Sequence, residues 1–301
     1  MIWDVQYESV TKVTEEAINL VRHLDLSNRP WENGWGPPQS ETDPLEAHPY
    51  LFIQYRHKGK PSEKGPLYDF FKTVQIPGND ANVNMPSPDN KRYPNPVIIN
   101  EYAWLWLNRD GSTTTLTDRV YDVVFGENLS TKERIYQYNR HLGMLTEYWR
   151  TQRYCAGVMH FCGLAYSRPN EPRGQTSDHF IDITKLIFEP QFEKYVKPAF
   201  APVGLMINFW EKNIQAGENL NIEIYAINDL DSAWNGPLTL TINKMDEVIS
   251  SQVQQIAIGA LDKLITINPV KMPSSKGEYQ LIAKINFMGE SIKSIREFSV
   301  K

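Results

Sequence analysis

Pro96-Val97-Ile98-Ile99-Asn100-Glu101-Tyr102 is the stretch that decides the fold, because a short apolar run ends there in a carboxylate. The three consecutive aliphatic residues predict a strand that is buried on both faces, since a half-solvated strand alternates polar and apolar residues. Strands of this kind form parallel sheets, and in an α/β barrel the chemistry lies at their carboxyl ends. Glu101 is therefore a candidate catalytic residue. The alternative interpretation is a Glu that is solvated or salt-bridged at a strand end.

A second stretch of the same design lies at the start of the chain. Ile2-Trp3-Asp4-Val5-Gln6-Tyr7-Glu8 is a largely apolar run that also ends in Glu. A retaining glycosidase needs two carboxyl groups about 5 to 5.5 Å apart, one as nucleophile and one as acid and base. Two strands that each end in Glu therefore predict Glu8 and Glu101 as a catalytic pair. Glu8 must hold its proton near neutral pH, which the close negative charge of Glu101 and partial burial favour.

The composition excludes several functional classes. The 301 residues are 41% hydrophobic and 22% charged, as in an ordinary globular protein with room for about two domains. A net charge of -5 without long basic runs argues against nucleic-acid binding, and no window approaches the about 18 apolar residues of a membrane helix. No charged leader precedes an apolar segment at the N-terminus, so no secretion signal is expected. The cellular compartment of the full-length protein stays open, with a periplasmic or a secreted location as the alternatives.

Helix and strand patterns alternate in the first two thirds of the chain. Helices are predicted from Thr14 to Leu24, near residues 117–125, and after the capping box Ser130-Thr131-Lys132-Glu133. Strands are predicted in residues 30–34, in His48-Pro49-Tyr50-Leu51-Phe52-Ile53 and in residues 155–163. Cys155 and Cys162 fall on opposite faces of that last strand, so they are predicted to be free thiols.

The pattern changes at about Pro202. Leu238, Leu240 and Ile242 alternate there with Thr239 and Thr241, and similar runs follow to the end of the chain. About seven short strands in roughly 100 residues, separated by Asn, Gly, Asp and Pro turns, predict an immunoglobulin-like β-sandwich. The predicted fold class is thus α/β plus all-β, with one domain in residues 1–200 and another in residues 201–301.

Five stretches in the first domain together resemble the second half of the catalytic barrel of glycoside hydrolase family 2. In chain order they match barrel strand four, the turn into strand five, and strands six, seven and eight: Ile2-Trp3-Asp4-Val5-Gln6-Tyr7-Glu8, His23-Leu24-Asp25-Leu26-Ser27-Asn28-Arg29-Pro30, His48-Pro49-Tyr50, Ile99-Asn100-Glu101-Tyr102 and Gly157-Val158-Met159-His160-Phe161. The resemblance implies an incomplete (β/α)8 TIM barrel, with strands 4 to 8, followed by an immunoglobulin-like β-sandwich domain. It also implies a retaining β-galactosidase, β-glucuronidase or β-mannosidase-like hydrolase of clan A, with Glu8 as acid/base and Glu101 as nucleophile.

The chain departs from the family pattern in three places. Tyr7 stands where the family normally has an Asn before the acid/base Glu, and His160 and Phe161 stand where Trp is common. Barrel strands one to three have no counterpart, and five βα units cannot close an eight-stranded barrel. We therefore expect the missing N-terminal barrel half, or another chain, to complete the fold. The isolated 301 residues are expected to be inactive.

The substrate is expected to be an oligo- or polysaccharide. The candidate substrate-binding residues are aromatic or histidine side chains near the two strand ends: Tyr7, Trp35, His48, Tyr50, Trp104 and His160. For each of them, packing in the core is the alternative interpretation. No ligand spacing predicts a metal site, and no motif predicts a cofactor. The competing functional class is a catalytically inactive carbohydrate-binding or scaffold protein.

Overall fold

The structure is a computed structural model that describes residues 2–5, 11–73, 93–164 and 179–301. It mixes helices with several sheets, two of which form a β-sandwich. The chain divides into two compact units. The first unit comprises Met1–Leu51, Thr73–Ala103 and Gln152–Phe161, and the second comprises Phe52–Lys72, Trp104–Thr151 and Cys162–Lys301. The predicted boundary near residue 200 stays a prediction.

The first unit contains two parallel ladders. Strand β1 (Trp3–Asp4) pairs with β2 (Trp31–Glu32), and β3 (Leu45–Ala47) and β5 (Cys155–Val158) pair with the two edges of β4 (Val97–Ile99). The predicted aliphatic strand is thus the centre of a parallel sheet, with Val97 and Ile99 buried. In the described residues the two ladders are separate sheets. A barrel arrangement of these strands remains a prediction.

One predicted strand is wrong. The run His48-Pro49-Tyr50-Leu51-Phe52-Ile53 was expected to be extended, but β3 ends at Ala47, and Leu51–Ile53 is a 3-10 turn that leads into α2 (Gln54–His57). The backbone N–H of Tyr50 donates to His48 O, and that of Leu51 donates to Pro49 O. Pro49 has no N–H to give to a ladder, so the chain turns at this point instead of extending β3.

Helix α1 (Lys12–Val21) belongs to the first unit and buries the side chain of Ile18. Polar side chains add contacts with the rest of that unit: Asn19 donates to Gln39, and Arg22, just after the helix, pairs with Asp43. The apolar side chains of Val13 and Leu20 are exposed, to 76% and 72%, and so is that of Leu24 in the 3-10 turn after the helix, to 67%.

Helices in the second unit are short apart from one. They are α2, most of α3 (Pro66–Thr73), α4 (Asp118–Phe125), α5 (Thr131–Thr151) and α6 (Lys197–Ala199), the last preceded by a π-helical turn at Phe192–Val196. The predicted capping box is present at α5: the Ser130 N–H donates to Glu133 Oε2 at 2.8 Å and the Glu133 N–H donates to Ser130 Oγ at 3.3 Å. No helix in the described part of the chain is long and apolar enough to cross a membrane.

The sandwich lies in the second unit and consists of a three-stranded and a five-stranded sheet. The order is β13-β10-β8 in one sheet and β12-β11-β14-β15-β9 in the other, with antiparallel pairs except for β15 and β9. The strands are β8 (Val203–Ile207), β9 (Asn213–Ile214), β10 (Asn219–Asn228), β11 (Trp234–Lys244), β12 (Glu247–Ile258), β13 (Lys263–Lys271), β14 (Gly277–Phe287) and β15 (Glu290–Val300). A two-stranded ladder, β6 (Phe180–Asp182) with β7 (Ile187–Phe188), precedes them. As the alternation predicted, Leu238, Leu240 and Ile242 point into the core.

Candidate active site

Glu101 lies two residues beyond the C-terminal end of β4, where the buried parallel strand delivers it. Its side chain is buried, at 3% exposure. Atom Oε1 has no hydrogen-bond partner among the described residues. Burial raises the pKa of the Glu101 carboxyl to about 8, because the apolar surroundings disfavour the charged form. A buried carboxyl with a free oxygen and a perturbed pKa is the combination that active sites often show.

His48 is a titratable neighbour of Glu101. Strands β3 and β4 pair in parallel with Ala47 opposite Ile99, so the residues that follow the two strands lie side by side. The Nε2 atom of His48 contacts Glu46 Oε1 and lies 3.9 Å from Glu101 Oε1. Glu46 also accepts a hydrogen bond of 3.0 Å from Asn100 Nδ2. His48 thus lies between two buried carboxyl groups.

Two predicted substrate-binding aromatics pack against this histidine. The ring centroid of Trp35 is 5.9 Å from that of His48, and the centroid of Tyr50 is 5.8 Å from it, both with edge-to-face geometry. The structure therefore brings four predicted site residues, Trp35, His48, Tyr50 and Glu101, into one group in the first unit.

Sequence reasoning missed a set of acidic side chains beside this group. Asp4 and Glu32 are direct partners in the β1–β2 ladder, and Glu32 and Glu46 are buried. Burial, followed by the negative charges of Glu46 and Asp4, raises the pKa of Glu32 well above its usual range, so Glu32 keeps its proton at neutral pH. Burial also raises the pKa of Asp4. These glutamates could have been identified in the sequence as a Glu inside a short apolar strand, as in Trp31-Glu32 and Leu45-Glu46-Ala47.

The remaining predicted residues are distributed differently. Tyr7 and Glu8 lie outside the described residues, so the distance between the two predicted catalytic carboxyls stays a prediction. His160 follows β5, and the N–H of Met159 donates to Ile99 O at 2.7 Å, which places His160 at the same edge of the sheet as Glu101. Burial lowers the pKa of His160 to about 4.

Trp104 belongs to the second unit. Its Nε1 donates to Leu116 O at 3.0 Å, and its ring lies 4.9 Å from that of Trp106. Its backbone φ is 80°, a left-handed conformation that is rare for a bulky residue and costs about 1 to 3 kcal/mol. Strain of this kind is retained where the surroundings fix the backbone, and here the indole hydrogen bond contributes to that.

The described residues contain no group of three or more His, Cys, Asp or Glu side chains arranged to hold a metal ion. Cys155 and Cys162 are free thiols, as predicted. Burial raises the pKa of the Cys155 thiol to about 12, so this cysteine is a structural residue and not a reactive thiolate.

No protein-family model matches the chain, and no curated protein matches it. Several solved structures match part of it. A cycloisomaltooligosaccharide glucanotransferase from Paenibacillus sp., solved with cycloisomaltoheptaose, is 16% identical over 30% of this chain and 13% of its own, with a TM-score of 0.27. A β-glucosidase from Erythrobacter marinus is 9% identical over 33% of this chain and 15% of its own, with a TM-score of 0.26.

The sporulation control protein Spo0M from Bacillus subtilis is 12% identical over 33% of this chain and 48% of its own, with a TM-score of 0.27. The matched part of this chain therefore spans less than two thirds of each of the three structures. Two of these partial likenesses are to enzymes that act on glycosidic bonds. At such TM-scores none of the likenesses carries an argument about family or activity.

Proposed function

We propose that this chain carries both catalytic carboxyls, Glu8 and Glu101, of a retaining glycoside hydrolase of the family 2 type, built on strands 4 to 8 of a TIM barrel. The observation that carries the proposal is the buried Glu101 carboxyl, which follows a central parallel strand and has His48 3.9 Å away. Trp35 and Tyr50 are suited to sugar binding at this point, because an indole face stacks on a pyranose and a phenol donates or accepts a hydrogen bond.

In this mechanism Glu101 attacks the anomeric carbon while Glu8 protonates the leaving oxygen, and Glu8 then deprotonates the water that releases the sugar. Attack requires the ionised form of Glu101, although burial favours the neutral form in the unliganded site. Glu46, which accepts a hydrogen bond from Asn100, contacts His48 beside Glu101. Tyr7, Trp104 and His160 are the further proposed substrate contacts.

The direct test replaces Glu101 with Gln in the completed enzyme, which is this chain together with the missing barrel half. We expect hydrolysis of nitrophenyl β-galactoside, β-glucuronide and β-mannoside to fall by at least about 10³-fold on the responsive substrate, because the nucleophile is lost. Glu41→Gln, an exposed position of the first unit, is the matched control and should keep full activity. A 2-fluoro glycoside should label Glu101, as read by peptide mass spectrometry. Retained turnover in Glu101→Gln would rule the assignment out.

We further propose that a barrel-completing segment, from an N-terminal barrel half or another chain, covers helix α1. The support is the exposed pair Val13 and Leu20, which have the i, i+7 spacing of one helix face, together with exposed Leu24 in the 3-10 turn after the helix. Leu20→Lys should leave the unfolding free energy of the 301-residue chain within about 0.5 kcal/mol, because the side chain is exposed. The same change should reduce the activity of the completed enzyme. Sugar binding without any turnover would instead favour the inactive binding or scaffold protein.

A further inference from the structure

A polar cavity of about 320 Å³ lies in the second unit, well within the size range of small-molecule sites. Its walls come from one side of helix α5, the loop at residues 61–67, the segment before β9 and the end of β15. The lining side chains include Gln137, Arg140, His141, Phe209, Lys212 and Glu297. None of them belongs to the group around Glu101.

Arg140 is one of the cationic groups of the cavity, where Lys64 and Arg296 are paired with Glu211 and Glu147. Its side chain is only 15% exposed, and its Nε lies 3.2 Å from Glu297 Oε2. No hydrogen bond connects its terminal nitrogens to any residue that the structure describes. Burial lowers the pKa of Arg140 to about 10, which leaves the guanidinium charged at neutral pH. The fork of Arg140 is therefore available to an oxyanion, the partner that its planar geometry fits best.

The surroundings of His141 show that a second cation is close. Burial first, and then the positive charge of Arg140 with a smaller effect of Lys212, lowers the pKa of His141 to about 3. The imidazole is therefore neutral. Since His141 Nδ1 lies 2.8 Å from the carbonyl of Gln137 and donates to it, Nε2 carries a lone pair and acts as an acceptor. Lys212 is exposed and makes no side-chain ion pair within the described residues.

Glu297 supplies a fixed acceptor on the other side of Arg140. Its Oε1 accepts hydrogen bonds from Gln280 Nε2 at 2.9 Å and from Tyr195 Oη at 3.3 Å. These two donors hold the carboxyl in place, and Oε2 faces Arg140. The cavity thus combines the guanidinium fork of Arg140 and the ammonium group of Lys212 with two acceptors suited to hydroxyl donors.

We propose that this cavity binds a small hydroxylated carboxylate of the sugar-acid class. Arg140 takes the carboxylate in a bidentate contact and Lys212 adds charge, while Glu297 and His141 accept hydrogen bonds from the hydroxyl groups. The apolar ring of Phe209 provides a wall for the carbon skeleton. This site is separate from Glu101, so it does not depend on the proposed hydrolase activity.

The test measures binding to the full 301-residue chain by isothermal titration calorimetry with three probes: glucuronate, glucose and inorganic phosphate. We expect glucuronate to bind at least about tenfold more tightly than the other two, since glucose lacks the anion and phosphate lacks the carbon skeleton with its alcohol hydroxyl groups. Arg140→Gln should weaken glucuronate binding at least about tenfold. Arg119→Gln, an exposed arginine of α4, is the matched control and should bind as the wild type does.

Two further variants test whether glucuronate binding depends on this cavity and not on the site around Glu101. Lys212→Gln, at an exposed position where folding is not at risk, should weaken glucuronate binding about threefold. Glu101→Gln should bind glucuronate unchanged, which separates this cavity from the proposed active site. Binding that is lost in Glu101→Gln but kept in Arg140→Gln would overturn the proposal. Equal affinity for phosphate and glucuronate, or no binding of glucuronate, would overturn it as well.

Discussion

At the scale of the residue, the buried carboxyl of Glu101 makes the free energy of unfolding depend on pH. Burial raises its pKa from 4.5 to about 8, so the folded protein holds this proton more tightly than the unfolded chain does. The contribution of the neutral Glu101 carboxyl to the free energy of unfolding is fully present below about pH 4.5. It is lost as the pH rises through about 8. Glu101→Gln removes this dependence. We expect the variant to be more stable than the wild type at pH 9 by roughly 2 to 4 kcal/mol, as measured by urea unfolding.

The comparison of pH 5 with pH 9 separates this effect from a general one. The two proteins should differ in stability by less than about 1 kcal/mol at pH 5, where the carboxyl of Glu101 is neutral in the folded protein and the pH is only about half a unit above its pKa in the unfolded chain. Glu41→Gln should track the wild type at both values, because Glu41 is exposed. A stability difference that is the same at both pH values would show that Glu101 is not the group responsible.

The position of Glu101 was accessible from the sequence, whereas its neighbours were not. An apolar run that ends in Glu identifies the strand and the residue at its end, because burial on both faces leaves a continuous apolar pattern. The approach of His48 to Glu101 depends on the register that places Ala47 opposite Ile99. Strand register across about 50 residues leaves no local pattern, so Glu46 and Glu32 were not identified.

At the scale of elements, helix α5 was predicted from its capping box, but its closest packing contact was not. A Cβ on Gly143 would lie 2.5 Å from the backbone oxygen of Tyr195. Gly143→Ala should therefore destabilise the protein by about 1 to 3 kcal/mol, even though alanine favours a helix by about 1 kcal/mol over glycine. Thermal unfolding should show a lower midpoint.

The control for this substitution is Gly163→Ala, where no atom in the described part of the chain lies within 4 Å of the added methyl group. Its midpoint should stay close to that of the wild type. An unchanged or higher midpoint for Gly143→Ala would mean that the backbone at Tyr195 moves away without cost. The mistaken strand at His48 has a comparable cause, since one proline and local turn bonds overrode an apolar pattern.

At the scale of the whole molecule, the alternation in the last third predicted the sandwich strands, because each strand buries one face. No pattern indicated that α5 and the sandwich belong to the same compact unit. Side chains that are far apart in sequence make that connection: Arg296 Nη2 donates to Glu147 Oε2 at 2.7 Å, and Ser294 Oγ donates to the same oxygen at 2.7 Å. Arg150 makes a second link through Asp229 at 2.7 Å.

The Glu147–Arg296 pair is buried, with side-chain exposures of 5% and 2%, so removing one partner leaves an uncompensated group. Arg296→Met should cost about 3 to 5 kcal/mol of unfolding free energy, because Glu147 loses its charge partner. The loss should be larger at pH 8 than at pH 5. Without Arg296, burial raises the pKa of Glu147 further, and the neutral form that tolerates burial is lost as the pH rises.

The double variant Glu147→Leu with Arg296→Met completes the cycle. It should recover a large part of the loss seen in Arg296→Met, since two apolar side chains of similar size leave no buried charge. Without Glu147, this pair also no longer contributes a difference in stability between pH 5 and pH 8. Urea unfolding of the wild type, both single variants and the double variant gives the coupling energy directly. Strict additivity of the two single losses would show that the ion pair does not hold helix α5 to strand β15.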